Sequence, residues 1–290
     1  MIWTITQRHL RIFFRDRQNV FFSLLSPLIL FALYKLFLGN LQITSLQDEW
    51  PMADDDAIRN FVDSWVYAGM LMLTTLSTGL GAMAIFIDDR ISGRFADFIV
   101  SPLRRRDLVL GYVIGGFLIA ASISMLVLIL SQVLTAISGG SLMDVTDILK
   151  SILYTLVMCA TFSTLAGVVA TFIRTSGAFS SLSALVGTFA GFLSMAYIPA
   201  AGLPDGVVRV LNWLPFAQSA TLLRGPFTRK SLNELSLQQN EIRDRLTEYY
   251  GLAISFGGHT LSATVILGIL AAIAIVLAVV ASWRIGRVVA

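Results

Sequence analysis

Long apolar stretches without a single charged side chain dominate this sequence. Five of them and a shorter sixth lack Asp, Glu, Lys and Arg altogether: Val66–Ile87, Leu108–Ile137, Ser151–Ile173, Thr175–Pro204, Thr260–Trp283 and Gln18–Tyr34. A helix needs about 20 apolar residues to cross the roughly 30 Å hydrocarbon core of a bilayer. Segments of alternating polarity, which a membrane β-barrel requires, are absent from the sequence. The chain is therefore predicted to be an all-α integral membrane protein, because helices satisfy their own backbone hydrogen bonds in lipid.

Six membrane-spanning helices are predicted, and the charges between them indicate their orientation. The spans lie at 20–40, 62–87, 108–137, 150–173, 176–200 and 258–283. If both termini are cytoplasmic, the inner segments carry twelve basic and five acidic residues, whereas the outer segments carry nine basic and thirteen acidic residues. An excess of basic residues on the cytoplasmic side is the general rule for membrane proteins. We therefore expect both termini to be cytoplasmic, with a surface helix over 1–19 and a six-span domain over 20–290.

The first residues form a basic segment that is too charged to be a span. On a helix, Arg8, Arg11 and Arg15 fall on one stripe, and Trp3 and Phe13 lie on the other side. This pattern predicts an amphipathic helix on the inner leaflet, with its arginines toward anionic headgroups. A disordered basic tail is the alternative, and the aromatic face argues against it.

The segment between the second and third spans is the most distinctive cytoplasmic piece. Phe95, Phe98 and Ile99 recur at helical spacing among acidic and basic residues, and Pro102 is expected to end the helix. We predict a short amphipathic helix over 88–103 that lies across the cytoplasmic surface. Interleaved acids and bases favour a protein partner over bare lipid. The alternative is an ordinary positively charged loop.

Two elements are predicted on the outer side before the last span. The segment 203–226 is apolar but is interrupted by Arg209 and Pro215, so it is too short and broken to cross the bilayer twice. A re-entrant hairpin buried against protein fits it best. A capping box formed by Ser231 and Glu234 predicts the start of an outer amphipathic helix over 231–251, which Gly251 ends. Within the third span, Gly111 and Gly115 are spaced for close helix packing.

No catalytic centre or metal site is predicted. The two histidines, His9 and His259, have no companions at metal-ligand spacing. None of the three lysines follows a glycine, so the chain lacks the phosphate-binding loop of common ATPases. A net charge of +3 is too small to indicate nucleic-acid binding. Uphill transport would need an ion gradient or a separate ATPase, and the absence of mid-membrane ionisable groups and inverted repeats favours the ATPase.

The order of these elements resembles the permease subunit of type-2 ATP-binding-cassette (ABC-2) exporters, including bacterial drug and antibiotic efflux permeases. The shared order is a basic amphipathic start, six spans, a charged inner helix after the second span and a broken hairpin before the sixth. The motifs that carry the resemblance are Asp88-Asp89, Gly93, Ser101-Pro102-Leu103, Leu203-Pro204, Leu214-Pro215-Phe216 and Leu223-Arg224.

The resemblance implies partners and site residues. Two permease chains would pair, as a homodimer or with a related chain, above two cytoplasmic ABC ATPases. Those ATPases would use ATP and Mg, while this chain would bind no cofactor of its own. The coupling residues would be Asp88, Asp89, Arg90, Gly93, Arg94, Phe98 and Pro102. Facing second and fifth spans would line the substrate path with Met70, Met72, Thr74, Thr78, Phe189, Phe192, Met195 and Tyr197.

The expected function is ATP-driven export of an amphipathic small molecule, such as a drug, an antibiotic or a lipid-like compound, across a bacterial plasma membrane. Export of a polysaccharide or glycolipid is an alternative within the same class. An ion-gradient-driven transporter, a channel and a membrane sensor are alternatives of other classes. A membrane enzyme is opposed by the lack of clustered catalytic groups.

Overall fold

The computed structural model describes residues 2–50, 53–95, 105–236, 239–256 and 259–288, and most of them are helical. A five-residue π-helix, Tyr34–Leu38, joins α2 to α3, and a short 3₁₀ turn, Ala200–Gly202, precedes α8. The helices are α1 (Ile2–Arg15), α2 (Arg17–Leu33), α3 (Gly39–Glu49), α4 (Asp55–Ile91), α5 (Arg105–Ile137), α6 (Val145–Phe172), α7 (Ser176–Leu193), α8 (Asp205–Leu211), α9 (Pro215–Leu235), α10 (Asn240–Tyr249) and α11 (Ala263–Val288).

Six helical segments are long and apolar enough to cross a membrane, which confirms the predicted all-α membrane architecture. The first continues through α2, the π-helix and α3, so helix persists to Glu49, well beyond the predicted end at residue 40. The six segments are Arg17–Glu49, Asp55–Ile91, Asp107–Ile137, Val145–Phe172, Ser176–Leu193 and Ala263–Arg284.

Helix α4 lies at the centre of the bundle. Its most apolar 18-residue stretch is 83% buried, whereas the most apolar 18-residue stretch of α11 is only 17% buried. It packs against α2, α5, α6, α7 and α9. A helix that is apolar on all sides needs such a position or a lipid environment, and α4 is enclosed by its own chain.

Helix α1 packs closely across α5, and two glycines make this possible. A Cβ on Gly111 would lie 2.7 Å from the Ile5 side chain, and a Cβ on Gly115 would lie 2.9 Å from His9 Cγ. The Thr6 hydroxyl donates to the Gly111 carbonyl at 3.1 Å. The close packing predicted from the glycine spacing is therefore confirmed, and the helix it admits is α1.

We expect Gly115→Ala to displace α1 from the bundle. The added methyl group would overpack a contact that has no free space, at a cost of about 1–3 kcal/mol. Gly268→Ala is the matched control, because no atom of the described residues lies within 4 Å of its added Cβ. Thermal melting of the purified protein should show a lower Tm for Gly115→Ala only. Equal melting of both variants would show that α1 is not held by this contact.

The broken segment before α9 reaches the level of the middle of α6. Helices α8 and α9 are separated by a turn at Asn212–Leu214, and Pro215 occupies the first position of α9. The Phe216 ring stacks on Phe162 at 5.8 Å and 4°, and Phe162 lies past the midpoint of the 28-residue α6. At its other end α9 meets the start of α6, where Arg229 bonds to Asp147. Helices α6 and α9 therefore run antiparallel, and the start of α9 lies at a level past the middle of α6. The turn itself is on the surface, where Trp213 is 72% exposed.

The predicted start of the outer helix at Ser231 is wrong. Ser231 is buried inside α9, and its hydroxyl donates to the Thr228 carbonyl. Burial of Leu232 and Leu235 extends the apolar face of α9, so tertiary packing overrides the local capping signal. The outer helix α10 begins at Asn240 instead.

The predicted end of that outer helix is correct. Gly251 has a φ of +60°, a left-handed conformation that favours glycine after a helix. A two-stranded antiparallel ladder follows, in which β1 (Ser255–Phe256) pairs with β2 (His259–Thr260). This ladder delays the last span to Ala263, later than the predicted residue 258.

Candidate functional site

The last turn of α4 is the centre of an ion-paired cluster at the end of the bundle where α1 lies, called here the α1 end. Asp89 is completely buried. Arg8 donates to both of its carboxylate oxygens, at 2.6 and 2.9 Å. The Tyr112 hydroxyl donates to it at 2.5 Å, and Arg94 donates at 2.7 Å. We call Arg8, Asp89, Arg94 and Tyr112 the Asp89 cluster.

The electrostatics of the Asp89 cluster explain its geometry. A buried carboxylate is unfavourable unless charged donors and hydrogen bonds compensate for its lost hydration. Two guanidinium groups and one hydroxyl do this for Asp89, and the bidentate Arg8 contact fixes the orientation of α1 on α4. The hydrogen bond to Asp89 in turn raises the pKa of Arg8. The cluster is a rigid connection between α1, α4, α5 and the segment that follows α4.

The residues on either side of Asp89 bond to other helices. The Ser176 hydroxyl, at the start of α7, donates to Asp88 at 2.7 Å. Arg90 donates to the carbonyl of Ile173, directly after α6, at 3.0 Å. Three consecutive residues of α4 therefore hold three different parts of the bundle. A displacement of this helical turn must move all of them or break these bonds.

The predicted coupling helix begins later than residue 88. Helix α4 continues to Ile91, so Asp88, Asp89 and Arg90 belong to the second span. A turn follows at Gly93, whose φ is +76°, and helical backbone resumes at Arg94. The described surface of this turn is exposed, and Ile91 has 51% of its area accessible. Phe98 and Pro102 lie outside the described residues.

The sequence prediction missed several members of the cluster. The amphipathic pattern predicts that Arg8, Arg11 and Arg15 all face lipid headgroups. Arg11 and Arg15 are exposed, but Arg8 forms an ion pair with Asp89. Tyr112 was not predicted at all. It also packs against Phe86 and Phe95, with ring centroids 5.3 and 6.3 Å away. No local pattern links residues as distant in sequence as Arg8 and Asp89, which only the tertiary fold brings together.

A second buried cluster lies at the opposite end of the bundle, called here the hairpin end. Arg224 of α9 is fully buried and donates to the carbonyls of Ser194, Met195 and Gly251, at 3.1, 2.6 and 3.1 Å. Its guanidinium lies 5.0 Å from the centre of the Trp65 ring. Within the described part of the chain, no carboxylate lies within ion-pair distance of it. Carbonyl dipoles and an aromatic face therefore stabilise this charge.

The Arg224 contacts join α9 to the loops that follow α7 and α10. Trp65, on α4, donates its indole N–H to the Tyr250 carbonyl at 3.0 Å. The Tyr34 hydroxyl donates to the Tyr197 carbonyl at 3.1 Å. Met195 has a φ of +54°, which is uncommon for a residue with a side chain. We call Trp65, Met195, Arg224 and Gly251 the Arg224 cluster.

The structure does not bring the eight predicted path residues to one surface. The four on α4 are buried within the single chain: Met70, Met72, Thr74 and Thr78. On α7, Phe189 and Phe192 are 53% and 46% exposed.

The remaining two path residues lie in the loop after α7. Met195 is buried in the Arg224 cluster. The Tyr197 ring packs against Phe192 at 5.1 Å. Phe189 and Phe192 are therefore the most accessible of the eight.

A cavity of about 800 Å³ opens at the hairpin end, between the end of α3, α8 and α10. Trp50 and Tyr249 contribute aromatic walls, and Asp205, Arg209 and Glu248 contribute charges. It lies on the far side of the molecule from the Asp89 cluster.

Six helices long and apolar enough to span a membrane, packed around an enclosed central helix, define a multi-pass membrane protein. The model of the ABC-2 type transporter family matches residues 1–227, and the chain belongs to this family. It is accordingly the membrane-spanning permease component of an ABC exporter, which works with ABC ATPase subunits. A comparison with curated proteins gives no match. The predicted resemblance is confirmed, and the matched region contains both clusters except Gly251.

Proposed function

We propose that this permease exports an amphipathic small molecule across a bacterial plasma membrane, driven by two ABC ATPases that dock at the α1 end. The α1 end is then cytoplasmic, with both chain termini on that side. The observation that supports this proposal is the Asp89 cluster, which joins the exposed turn at Ile91–Arg94 to α1, α4 and α5.

The mechanism follows from the continuity of α4. ATP-driven closure of the ATPases would push on the turn after Ile91, and Arg94 would carry that force to Asp89 through their ion pair. Helix α4 has 37 residues and is therefore about 55 Å long. A tilt of α4 at its α1 end would also displace Trp65 near its other end. Trp65 contacts Arg224 and Tyr250 at the hairpin end. The same rigid helix thus links the motor side to the opposite side.

The substrate path needs a second permease copy. Phe189 and Phe192 are open on the single chain and offer an aromatic wall to an amphipathic molecule. The buried Met and Thr side chains of α4 would reach the path when α4 moves relative to α7. We favour a homodimer, with the α7 faces of two copies enclosing the path; a related permease chain is the alternative partner.

Ile91→Asp tests where the ATPase docks. Ile91 is exposed beside the Gly93 turn, so the charge should abolish ATPase binding without lowering Tm. Ile137→Asp is the matched control, because Ile137 is 77% exposed at the hairpin end of α5. Co-purification of the ATPase and permease-dependent stimulation of ATP hydrolysis report the outcome. Full co-purification with the Ile91→Asp variant would refute docking at this turn, as would equal loss with Ile137→Asp.

A further inference from the structure

A second cavity, of about 300 Å³, lies between α6, α9 and the start of α11. One side of it is apolar and the other is charged. The apolar residues are Leu222, Pro226, Leu252, Ala253, Leu261, Ala263 and Ile266. The polar residues are Asp147, Lys150, Tyr154, Thr221 and Arg229.

Gly225 lies on the wall of this cavity, at a position without a side chain. It is exposed near the middle of α9, although Arg224 and Pro226 on either side of it are buried. No atom of the described residues lies within 4 Å of the position where its Cβ would be. Glycine destabilises a helix interior and is usually explained by close packing, as at Gly115. Here no neighbouring helix among the described residues packs against the glycine, and a large side chain at this position would project into the cavity.

Pro226, next to Gly225, leaves one backbone carbonyl of α9 without its helical donor. It has no N–H, so the carbonyl of Leu222 lacks its usual donor one turn later. Leu222, Gly225 and Pro226 all line the cavity. A glycine and a proline side by side are unfavourable in a helix of 21 residues. Helix stability therefore does not explain why this pair occurs at the cavity wall.

The charged side is organised around a buried carboxylate. Arg229 donates its Nε–H to Asp147 at 2.6 Å and also pairs with Asp144. Lys150 lies 4.0 Å from Asp147, and its side chain is 56% exposed. Arg229 is thus held by two carboxylates, whereas Lys150 makes only a long ion pair with Asp147 and has an exposed side chain. The site therefore presents an exposed lysine beside an apolar trough.

We propose that this cavity binds one phospholipid of the surrounding bilayer. The phosphate would accept hydrogen bonds from Lys150, and an acyl chain would lie in the trough along Gly225 and Ile266. The cavity lies at the starts of α6 and α11, where these spans leave the apolar core. A bilayer lipid places its phosphate at this level and its chain below it. The lipid would fill the space between α6, α9 and α11 and stabilise their packing, whatever substrate the transporter carries.

Filling the cavity tests the proposal. In Gly225→Phe the ring would occupy the trough, whereas Gly225→Ala leaves most of it open and is the control for the loss of glycine. Leu153→Phe controls for a new ring on the lipid-facing surface, because Leu153 is exposed on α6 and does not line the cavity. Each protein is released from nanodiscs of phosphatidylethanolamine and phosphatidylglycerol and examined by native mass spectrometry.

We expect wild type, Gly225→Ala and Leu153→Phe to retain one phospholipid under conditions that strip the remainder. Retention by Gly225→Phe should fall about tenfold, which corresponds to about 1.4 kcal/mol of binding free energy. Lys150→Gln should lower retention to an intermediate level. Equal retention by wild type and Gly225→Phe would overturn the proposal.

A replacement variant and a comparison of two phosphate ligands complete the test. If Gly225→Phe fails to fold, Ala263→Trp is used in its place. Its ring would close the trough from the first residue of α11. Added phospholipid should raise the Tm of the delipidated wild type, and water-soluble glycerol phosphate should not. Equal stabilisation by glycerol phosphate would show that the site takes a soluble phosphate and would refute the lipid assignment.

Discussion

Replacing Asp89 with Asn should detach α1 and abolish ATP-driven transport. The substitution keeps the side-chain volume but removes the charge that Arg8 and Arg94 share. Removing one partner of a buried ion pair typically costs about 3–5 kcal/mol, because the other charge stays partly buried without compensation. We therefore expect a much lower Tm and loss of the permease-dependent stimulation of ATP hydrolysis.

Asp88→Asn is the matched control for this experiment. It makes the same chemical change one residue away, at an exposed position that loses only the bond from Ser176. That bond is worth about 1 kcal/mol or less. Thermal melting and ATPase stimulation should therefore stay near wild type in Asp88→Asn. If Asp89→Asn behaves as Asp88→Asn does, the Asp89 cluster does not carry the coupling.

Arg224→Met should loosen the hairpin end and lower Tm. The Ser194 and Met195 carbonyls would lose the Arg224 donor, and each buried unpaired carbonyl costs about 1–3 kcal/mol. The Gly251 carbonyl would keep the bond from the Thr221 hydroxyl. Arg224→Lys should be intermediate, because an ammonium group retains the charge but cannot span three acceptors in the fixed guanidinium geometry. Arg243→Met, on the exposed face of α10, is the control and should melt like wild type.

A cysteine at Ala200 reports on this loosening. Ala200 is buried against Gly251, and the native Cys159 is also buried, so background labelling is low. In the Arg224→Met background we expect the Ala200→Cys thiol to react with maleimide at least about tenfold faster than in the Arg224 parent, in line with a lower cost of local opening. Unchanged labelling and unchanged Tm would show that Arg224 does not hold these loops.

The sequence predicted the six spans well because the bilayer imposes a local requirement. A run such as Thr260–Trp283 must be a helix to satisfy its backbone in lipid, whatever it packs against. The predicted helix boundaries agree less closely with the structure. Helix α4 continues past its last apolar run to Ile91, and α9 continues past Ser231, because burial against other helices extends both.

The two clusters were much harder to predict. Asp89 was recognised as a coupling residue, but its partners Arg8 and Tyr112 come from other helices. Met70 and Thr74 were predicted to line a path because the family resemblance implies that the second span faces the fifth. The structure encloses them because α4 is the central helix. The most apolar span, α11, is among the least buried, so composition does not reveal which span takes the central position.

Transport by reconstituted vesicles is the most direct test of the central claim, that this chain is a conduit moved by a separate ATPase through the α1 end. Vesicles would contain the permease alone, with and without ion gradients, or the permease together with its ATPase and ATP. A panel of amphipathic fluorescent dyes serves as cargo. We predict uphill dye accumulation only with ATPase and ATP, and none with Asp89→Asn. Accumulation by the permease alone, or none with the complete complex, would contradict the account.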